Sequence, residues 1–367
     1  MNPWRGGGLP AEILAAPDFA RGEIERDPDG PLSLFQHCPR ADRTPLRPLP
    51  DAATALGIGS LVIKDERSRM GLGSFKALGA AHAIARRACP AGTVPTDPAT
   101  SLTGQTFICA SAGNHGLSVA AGARAFGARA VIVLAQTVPE DFADRLRDRG
   151  ADVVRAGAVY ADSMAAAQRL ADDNGWQLLA DSTWPGYVDP ARDVMAGYLI
   201  MGAEIAEQWP ESGQPPAHPS PTHVFLQAGV GGLACALAAS VRRFFGDTPR
   251  ICVVEPVAAP ALIDSIEAGR PVVTAGPASN MGRLDCKEPS HLALRALAAD
   301  ADAFMTVTDA QATETVDWLR NMDLPTTPSG GAGIAGLRYA PPALRTALGL
   351  DATSCVLAIL SEGPTDG

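Results

Sequence analysis

Lysine is scarce in this chain: Lys64, Lys76 and Lys287 are the only three, and arginine supplies the remaining positive charge. A lysine that attacks a carbonyl must be neutral part of the time, so it needs an apolar or cationic setting that lowers a pKa of about 10.4. Lys64 is followed by Asp65 and Glu66, and Lys287 by Glu288, neighbours that favour the charged form. Lys76 lies between Phe75 and Ala77 with no carboxylate beside it. The local sequence therefore singles out Lys76 as the candidate nucleophile, although an ordinary surface lysine opening a helix fits the same position.

Three further stretches place chemistry at the ends of apolar runs. Ser111-Ala112-Gly113-Asn114-His115-Gly116 follows the run 106–110 and opens a helix. Free N–H groups at such a start favour a carboxylate, and Asn114 adds a neutral donor, or serves as a plain cap. Gly229-Val230-Gly231-Gly232-Leu233 follows the run 223–227 and lets a phosphate approach the backbone closely. The same loop also fits a dinucleotide fingerprint, with Ala234 in the last position and Glu255 ending the next apolar run, so a nicotinamide-dependent dehydrogenase competes there. Ser361, after the run 355–360, offers a neutral hydroxyl at a third end.

These residues need a scaffold that brings several strand ends together. Strand-like runs at 61–63, 106–110, 130–134, 152–155, 178–180, 223–227, 250–254, 303–307 and 355–360 alternate with helical runs at 77–88, 117–126, 141–149, 162–174, 193–209, 233–245, 309–321 and 331–339. Alternation of this kind predicts an α/β fold of open, mostly parallel sheets flanked by helices. Residues 1–43 read as irregular and polar, leading into an extended segment at Arg43-Thr44-Pro45-Leu46. Two proline-rich stretches, 90–104 and 209–221, read as surface loops or linkers.

A formal charge of −10 over 367 residues argues against nucleic acid or an anionic membrane as partner, because both call for a basic surface. No apolar stretch is long enough to span a bilayer, and the first residues lack the apolar core of a signal peptide, which predicts a cytoplasmic protein. The seven cysteines are widely spaced without a CxxC pair, and the six histidines show no metal-ligand spacing. That is reduced-compartment usage, with neither a disulfide framework nor a metal site expected. Cys109, Cys252 and Cys355 sit inside apolar runs, where a thiol acts as a small hydrophobe.

A dehydrogenase gives no reason for Lys76, Asn114 and Ser361 to stand at three separate strand ends. Pyridoxal 5'-phosphate does: its aldehyde needs a lysine, its phosphate a glycine cradle, its phenolic oxygen a neutral donor and its ring nitrogen a partner. The chain resembles the fold type II pyridoxal-phosphate enzymes through Gly73-Ser74-Phe75-Lys76, Ser111-Ala112-Gly113-Asn114-His115-Gly116 and Gly229-Val230-Gly231-Gly232-Leu233. Within that group it is most similar to the diaminopropionate ammonia-lyases. That similarity rests on Lys64-Asp65-Glu66 with Gly71-Leu72-Gly73, on 181–187 with 195–198, on 281–290 and on 361–366.

The resemblance implies a tryptophan synthase β-like fold. It implies a large cofactor domain of residues 1–97 and 196–367 and a smaller α/β domain of residues 98–195 that carries the Ser111–Gly116 loop. Lys76 would hold the cofactor beside Phe75, Asn114 would contact its phenolic oxygen, Ser361 would face its ring nitrogen, and Gly229 to Leu233 would take its phosphate. Ser111, Ala112, Gly113 and His115 would bind the substrate. Asp181 would be the acid/base group for the L-substrate; from spacing alone it is equally a capping or solvated carboxylate beside Ser182 and Thr183. The family carries an aspartate at the position of Ala112, matching the base used on the D-isomer.

The implied activity is β-elimination from a diaminopropionate-like amino acid to a 2-oxo acid and ammonia. A serine or threonine dehydratase and a β-replacement synthase are the alternatives. The implied partners are a small amino acid and a second copy of the chain, and because the sequence stops after the Ser361 loop no C-terminal regulatory domain is expected.

Overall fold

The computed structural model describes residues 1–211 and 219–364. Thr365, Asp366 and Gly367 of the third loop, and residues 212–218 of the second proline-rich stretch, lie outside the described residues.

Among the described residues ten strands form two sheets. They are β1 Leu46–Pro48, β2 Ser60–Asp65, β3 Thr106–Ala110, β4 Arg129–Leu134, β5 Ala151–Arg155, β6 Gln177–Leu178, β7 His223–Gln227, β8 Arg250–Pro256, β9 Ala303–Val307 and β10 Cys355–Leu360. The six-stranded sheet runs β1-β2-β10-β7-β8-β9 and the four-stranded sheet β5-β4-β3-β6. Only β1 pairs antiparallel; the other pairs are parallel. Helices cover both faces, so the inner strands are buried throughout: every residue of β7 and β10 is buried, and all but the first of β2 and β8. Continuous apolar runs rather than alternation follow from that double burial. Cys109, Cys252 and Cys355 are buried within β3, β8 and β10.

The sheets present their carboxyl ends where the candidate residues lie. Helix Lys76–Ala88, which follows β2, packs against helix Asn114–Ala125, which follows β3, and against helix Asp189–Gly197. Elements of both sheets therefore meet directly behind Lys76.

Several expectations are corrected. The expected long helix at 193–209 is two helices, Asp189–Gly197 and Leu199–Gln208, joined at Tyr198, which keeps nearly helical angles. The N-terminal 43 residues contain short helices Ala11–Ala15 and Asp29–Phe35. Helices Ala261–Ala268 and His291–Asp300 had no counterpart in the sequence reading. Among the described residues no helix is long and apolar enough to cross a membrane.

Candidate active site

The segment before Lys76 turns through left-handed conformations at Met70, Gly71 and Gly73. Such a run at a non-glycine residue costs free energy and persists only when its surroundings hold it. Here the hold is a buried charge cluster: Arg69 reaches Glu66 at 2.7 Å and both oxygens of Glu204 at 2.7 Å, while Lys64 reaches Glu204 at 2.6 Å. From the other side the segment after β10 clamps the loop. Gly363 donates to the Gly73 carbonyl at 2.9 Å, Phe75 N–H donates to the Ser361 carbonyl at 3.0 Å, and Ser74 bridges to Glu362. Lys76 and Ser361 are thereby fixed to one another through backbone.

Lys76 Nζ pairs with Asp181 Oδ2, and lies 5.4 Å from the centre of the Phe75 ring. Burial works against the Lys76 ammonium, but attraction to Asp181, with smaller contributions from Tyr198 and Cys286, outweighs it and holds the pKa above the ordinary lysine value. Burial likewise opposes the Asp181 carboxylate, and Lys76 together with His115 keeps its pKa below the usual carboxylate range. This reverses the sequence reading of Lys76 as a lysine lowered by an apolar setting. The lysine whose pKa falls is Lys64, because its complete burial outweighs Glu204 and Glu66.

Asn114 opens helix Asn114–Ala125 without capping it; its Nδ2 donates to Glu362 Oε2. Glu362, 3% exposed, also accepts from Thr327 Oγ1 and pairs with Arg283 Nε at 3.0 Å. Burial pushes its carboxyl upward against those three partners. Ser111 is turned inward: its Oγ accepts from Gly113 N–H and Gly116 N–H at 3.3 and 3.0 Å, so it shapes the loop. Ala112 is exposed and Gly113 half-buried. His115 is buried and donates from Nε2 to the Leu179 carbonyl at 2.7 Å, leaving Nδ1 without a partner.

The Gly229 to Leu233 loop passes from β7 into helix Gly232–Phe245. Gly229 and Val230 are half-buried, and Gly231, Gly232 and Leu233 are buried. Gly231 has φ +100°, and a Cβ there would lie 2.9 Å from Ala293 Cβ; a Cβ at Gly229 would lie 3.0 Å from Cys286 Sγ. The opening N–H groups of a helix have no intrahelical acceptor and carry its positive end. Glu255, the acid that a dinucleotide site would aim at a ribose, is fully buried and accepts from Leu262 and Ile263 N–H at 2.8 and 2.9 Å. It caps a helix instead, which removes the main support for the nicotinamide reading.

These features fit a pyridoxal-phosphate site on this chain's own atoms: a glycine cradle at a helix start, and buried polar atoms left over at His115 Nδ1 and Tyr198 Oη. The Tyr198 ring meets Phe75 edge to face at 4.9 Å, and the Lys76 charge acts on its hydroxyl. Sequence reasoning missed Tyr198, Arg283, Cys286 and Glu362 as site residues. Glu362 adjoins Ser361, and the other three lie inside runs already matched as similar to known enzymes, but no local pattern marks their contacts.

Comparison with known proteins gives a consistent result. A family model described as pyridoxal-phosphate dependent enzyme matches residues 39–362. The diaminopropionate ammonia-lyase of Salmonella typhimurium is 30% identical over 368 residues, covering 91% of this chain and 88% of the relative. The crystal structure of the Escherichia coli diaminopropionate ammonia-lyase with an aminoacrylate-PLP azomethine reaction intermediate superposes with a TM-score of 0.84 at 28% identity, covering 100% of this chain and 93% of that one. The same enzyme in complex with D-serine gives a TM-score of 0.86 at 28% identity and the same coverage.

Proposed function

The chain belongs to the pyridoxal-phosphate dependent enzyme family, and on that premise we propose that it is a β-eliminating ammonia-lyase acting on an L-amino acid of the 2,3-diaminopropionate class. The observation that carries this reading is the ion pair between Lys76 and Asp181 at the carboxyl ends of both sheets. Its activity follows the relatives named above.

When bound, the cofactor supplies an electron sink for the pair left on Cα as its proton departs. Lys76 would hold the cofactor, with Phe75 beside it. The loop of Gly229, Val230, Gly231, Gly232 and Leu233, with the positive end of the following helix, would hold its phosphate. Asn114, whose Nδ2 is oriented by Glu362, would serve the phenolic oxygen, and the Ser361 hydroxyl would serve the ring nitrogen. The substrate carboxylate sits on the Ser111-Ala112-Gly113 turn at the start of helix Asn114–Ala125, next to His115.

Asp181 is charged at neutral pH because Lys76 outweighs its burial, so it can accept a proton. The Cα–H bond breaks with the proton going to Lys76 or Asp181, the Cβ–N bond breaks, and the proton leaves with the amine. Water then replaces the remaining nitrogen, giving a 2-oxo acid and a second ammonia. A placed group of this kind contributes roughly 10²–10⁴-fold. Ala112 offers no carboxylate to the opposite face of the substrate, which favours the L-isomer.

We assign residues 1–97 and 196–367 to the large cofactor domain and 98–195 to the smaller one, and propose a cytoplasmic homodimer. The test is an absorption spectrum of the wild type and Lys76→Ala, with ammonia and 2-oxo acid assayed on L- and D-2,3-diaminopropionate, L-serine and L-threonine. The expected result is a visible band absent from Lys76→Ala and release from L-diaminopropionate. Release from L-serine or L-threonine alone replaces the reading with a hydroxyamino-acid dehydratase.

A further inference from the structure

Ser290 precedes helix His291–Asp300 in the N-cap position, yet its hydroxyl makes no cap bond to its own helix. That cap comes from elsewhere. Thr183 Oγ1 accepts from Leu292 N–H at 2.8 Å, and the Thr183 carbonyl accepts from His291 N–H at 3.1 Å. The freed Ser290 hydroxyl turns to Thr183, accepting from its N–H at 3.1 Å and sharing a proton with its Oγ1 at 2.8 Å. Four hydrogen bonds thus join residue 183 to residues 290–292, between side chains 1% and 0% exposed. A helix start satisfied by a residue 109 positions away in sequence is a tertiary joint rather than a local cap.

The joint stands between two parts of the site. Thr183 lies two residues after Asp181, past the end of β6 in the four-stranded sheet. Ser290 N–H donates to the Val230 carbonyl at 2.9 Å, inside the glycine loop that follows β7 of the six-stranded sheet. The chain of contacts Asp181, Thr183, Ser290, Val230 therefore runs from the carboxylate on Lys76 to the phosphate cradle. Its hydrogen bonds between Thr183 and residues 290 and 292 are buried, where losing one partner costs most.

We propose that Thr183 and Ser290 are positioning residues that set Asp181 against Lys76 from the glycine loop, so that the loop holding the cofactor's phosphate also places the acid/base group. This rests on the reading of Lys76 and Asp181 given above. Groups that face the Lys76 nitrogen are Asp181, Tyr198, Cys286, His115 and Glu362. Of these Asp181 lies two residues from Thr183, and the Cys286 thiol touches the joint at the Val230 backbone. Tyr187, whose Oη accepts from Ala180 N–H at 2.8 Å and donates to the Leu178 carbonyl at 3.0 Å, holds the same loop from its other side.

The test compares cofactor-loaded Thr183→Val, which keeps shape but loses the oxygen, with Thr183→Ser, which keeps the oxygen. Ser290→Ala serves as a second variant should Thr183→Val fail to fold. For Thr183→Val and Ser290→Ala the expected result is a kcat on L-2,3-diaminopropionate lowered about tenfold or more, a fraction of the roughly 10²–10⁴ at stake in a placed acid/base group. KM stays near the wild-type value. The visible band titrates with a lower pH midpoint, because a displaced Asp181 no longer favours the protonated form of the Lys76 nitrogen. Thr183→Ser restores both readings. Wild-type kcat and midpoint in the two variants, or lowered activity and melting temperature with an unmoved midpoint, overturn the joint and leave a structural cap. A band that persists in Lys76→Ala overturns the reading of Lys76 itself.

Discussion

Lys76 and Asp181 form an ion pair although different sheets carry them: Lys76 follows β2 of the six-stranded sheet, and Asp181 follows β6 of the four-stranded one. The pair fixes opposite charges on groups that are each about one-fifth exposed. A protonated lysine is a poor nucleophile, so the partner proposed for proton transfer would also restrain cofactor attachment at Lys76.

Asp181→Asn separates those two effects. Turnover of L-2,3-diaminopropionate should fall by roughly 10²–10⁴. The rate at which apoprotein takes up pyridoxal phosphate at neutral pH should rise, because burial then lowers the Lys76 pKa against only the smaller contributions of Tyr198 and Cys286. Stopped-flow reconstitution followed at the visible band checks this; slower uptake in the variant would mean that Asp181 assists attachment.

The sheets were legible because strands buried on both faces read as unbroken apolar runs, and 106–110, 223–227, 303–307 and 355–360 match their strands end to end. The break at Tyr198 was not, since no proline or left-handed residue marks it. Helices Ala11–Ala15 and Asp29–Phe35 are too short for a helical period to show. Residue types at the site were legible, and charge states were not. Asp65 follows Lys64 on a strand and so points to the opposite face, where it binds Arg47 and Arg67, while Lys64 meets Glu204, 140 positions on. Asp181 is 105 positions from Lys76. Sequence neighbours therefore misreported the electrostatics of both lysines.

Gly231→Ala tests the cradle. A Cβ would have to tolerate φ +100° and lie 2.9 Å from Ala293 Cβ. Strain of this kind costs about 1–3 kcal/mol, so cofactor affinity should weaken by roughly one to two powers of ten. A fluorescence titration of apoprotein with pyridoxal phosphate reads the loss, and unchanged affinity would place the phosphate elsewhere.

Glu204→Gln tests the cluster behind the Lys76 loop. Lys64 and Arg69 are both 0% exposed, and Glu204 bonds to each, so the variant removes one of the two carboxylates, Glu66 and Glu204, that face these buried cations. Breaking a buried network in this way costs about 3–5 kcal/mol. Urea unfolding should show it, whereas loss of the surface pair between Arg129 and Asp152, each more than half exposed, should change little.

His82 lies on the Lys76 helix, 6% exposed, and its Nδ1–H donates to the Asp193 carbonyl at 2.8 Å on the neighbouring helix. Burial pulls its pKa down to about 4, with that hydrogen bond opposing and Arg86 assisting. The unfolded chain keeps a histidine pKa of about 6.5. Between those values the unfolded state binds a proton that the folded state refuses, so the stability is present above the unfolded pKa and is lost as pH falls toward 4. His115, His223 and His291 are also lowered by burial and add to the same trend. From pH 7 to pH 5 the His82 share is about 2 kcal/mol. His82→Asn keeps an N–H for the Asp193 carbonyl and cannot titrate. Its unfolding free energy should therefore fall less steeply with acid than that of the wild type over this window, by one proton's worth of slope. Parallel slopes would show that the folded protein admits the proton at His82, and that the contact between the Lys76 helix and helix Asp189–Gly197 opens to solvent.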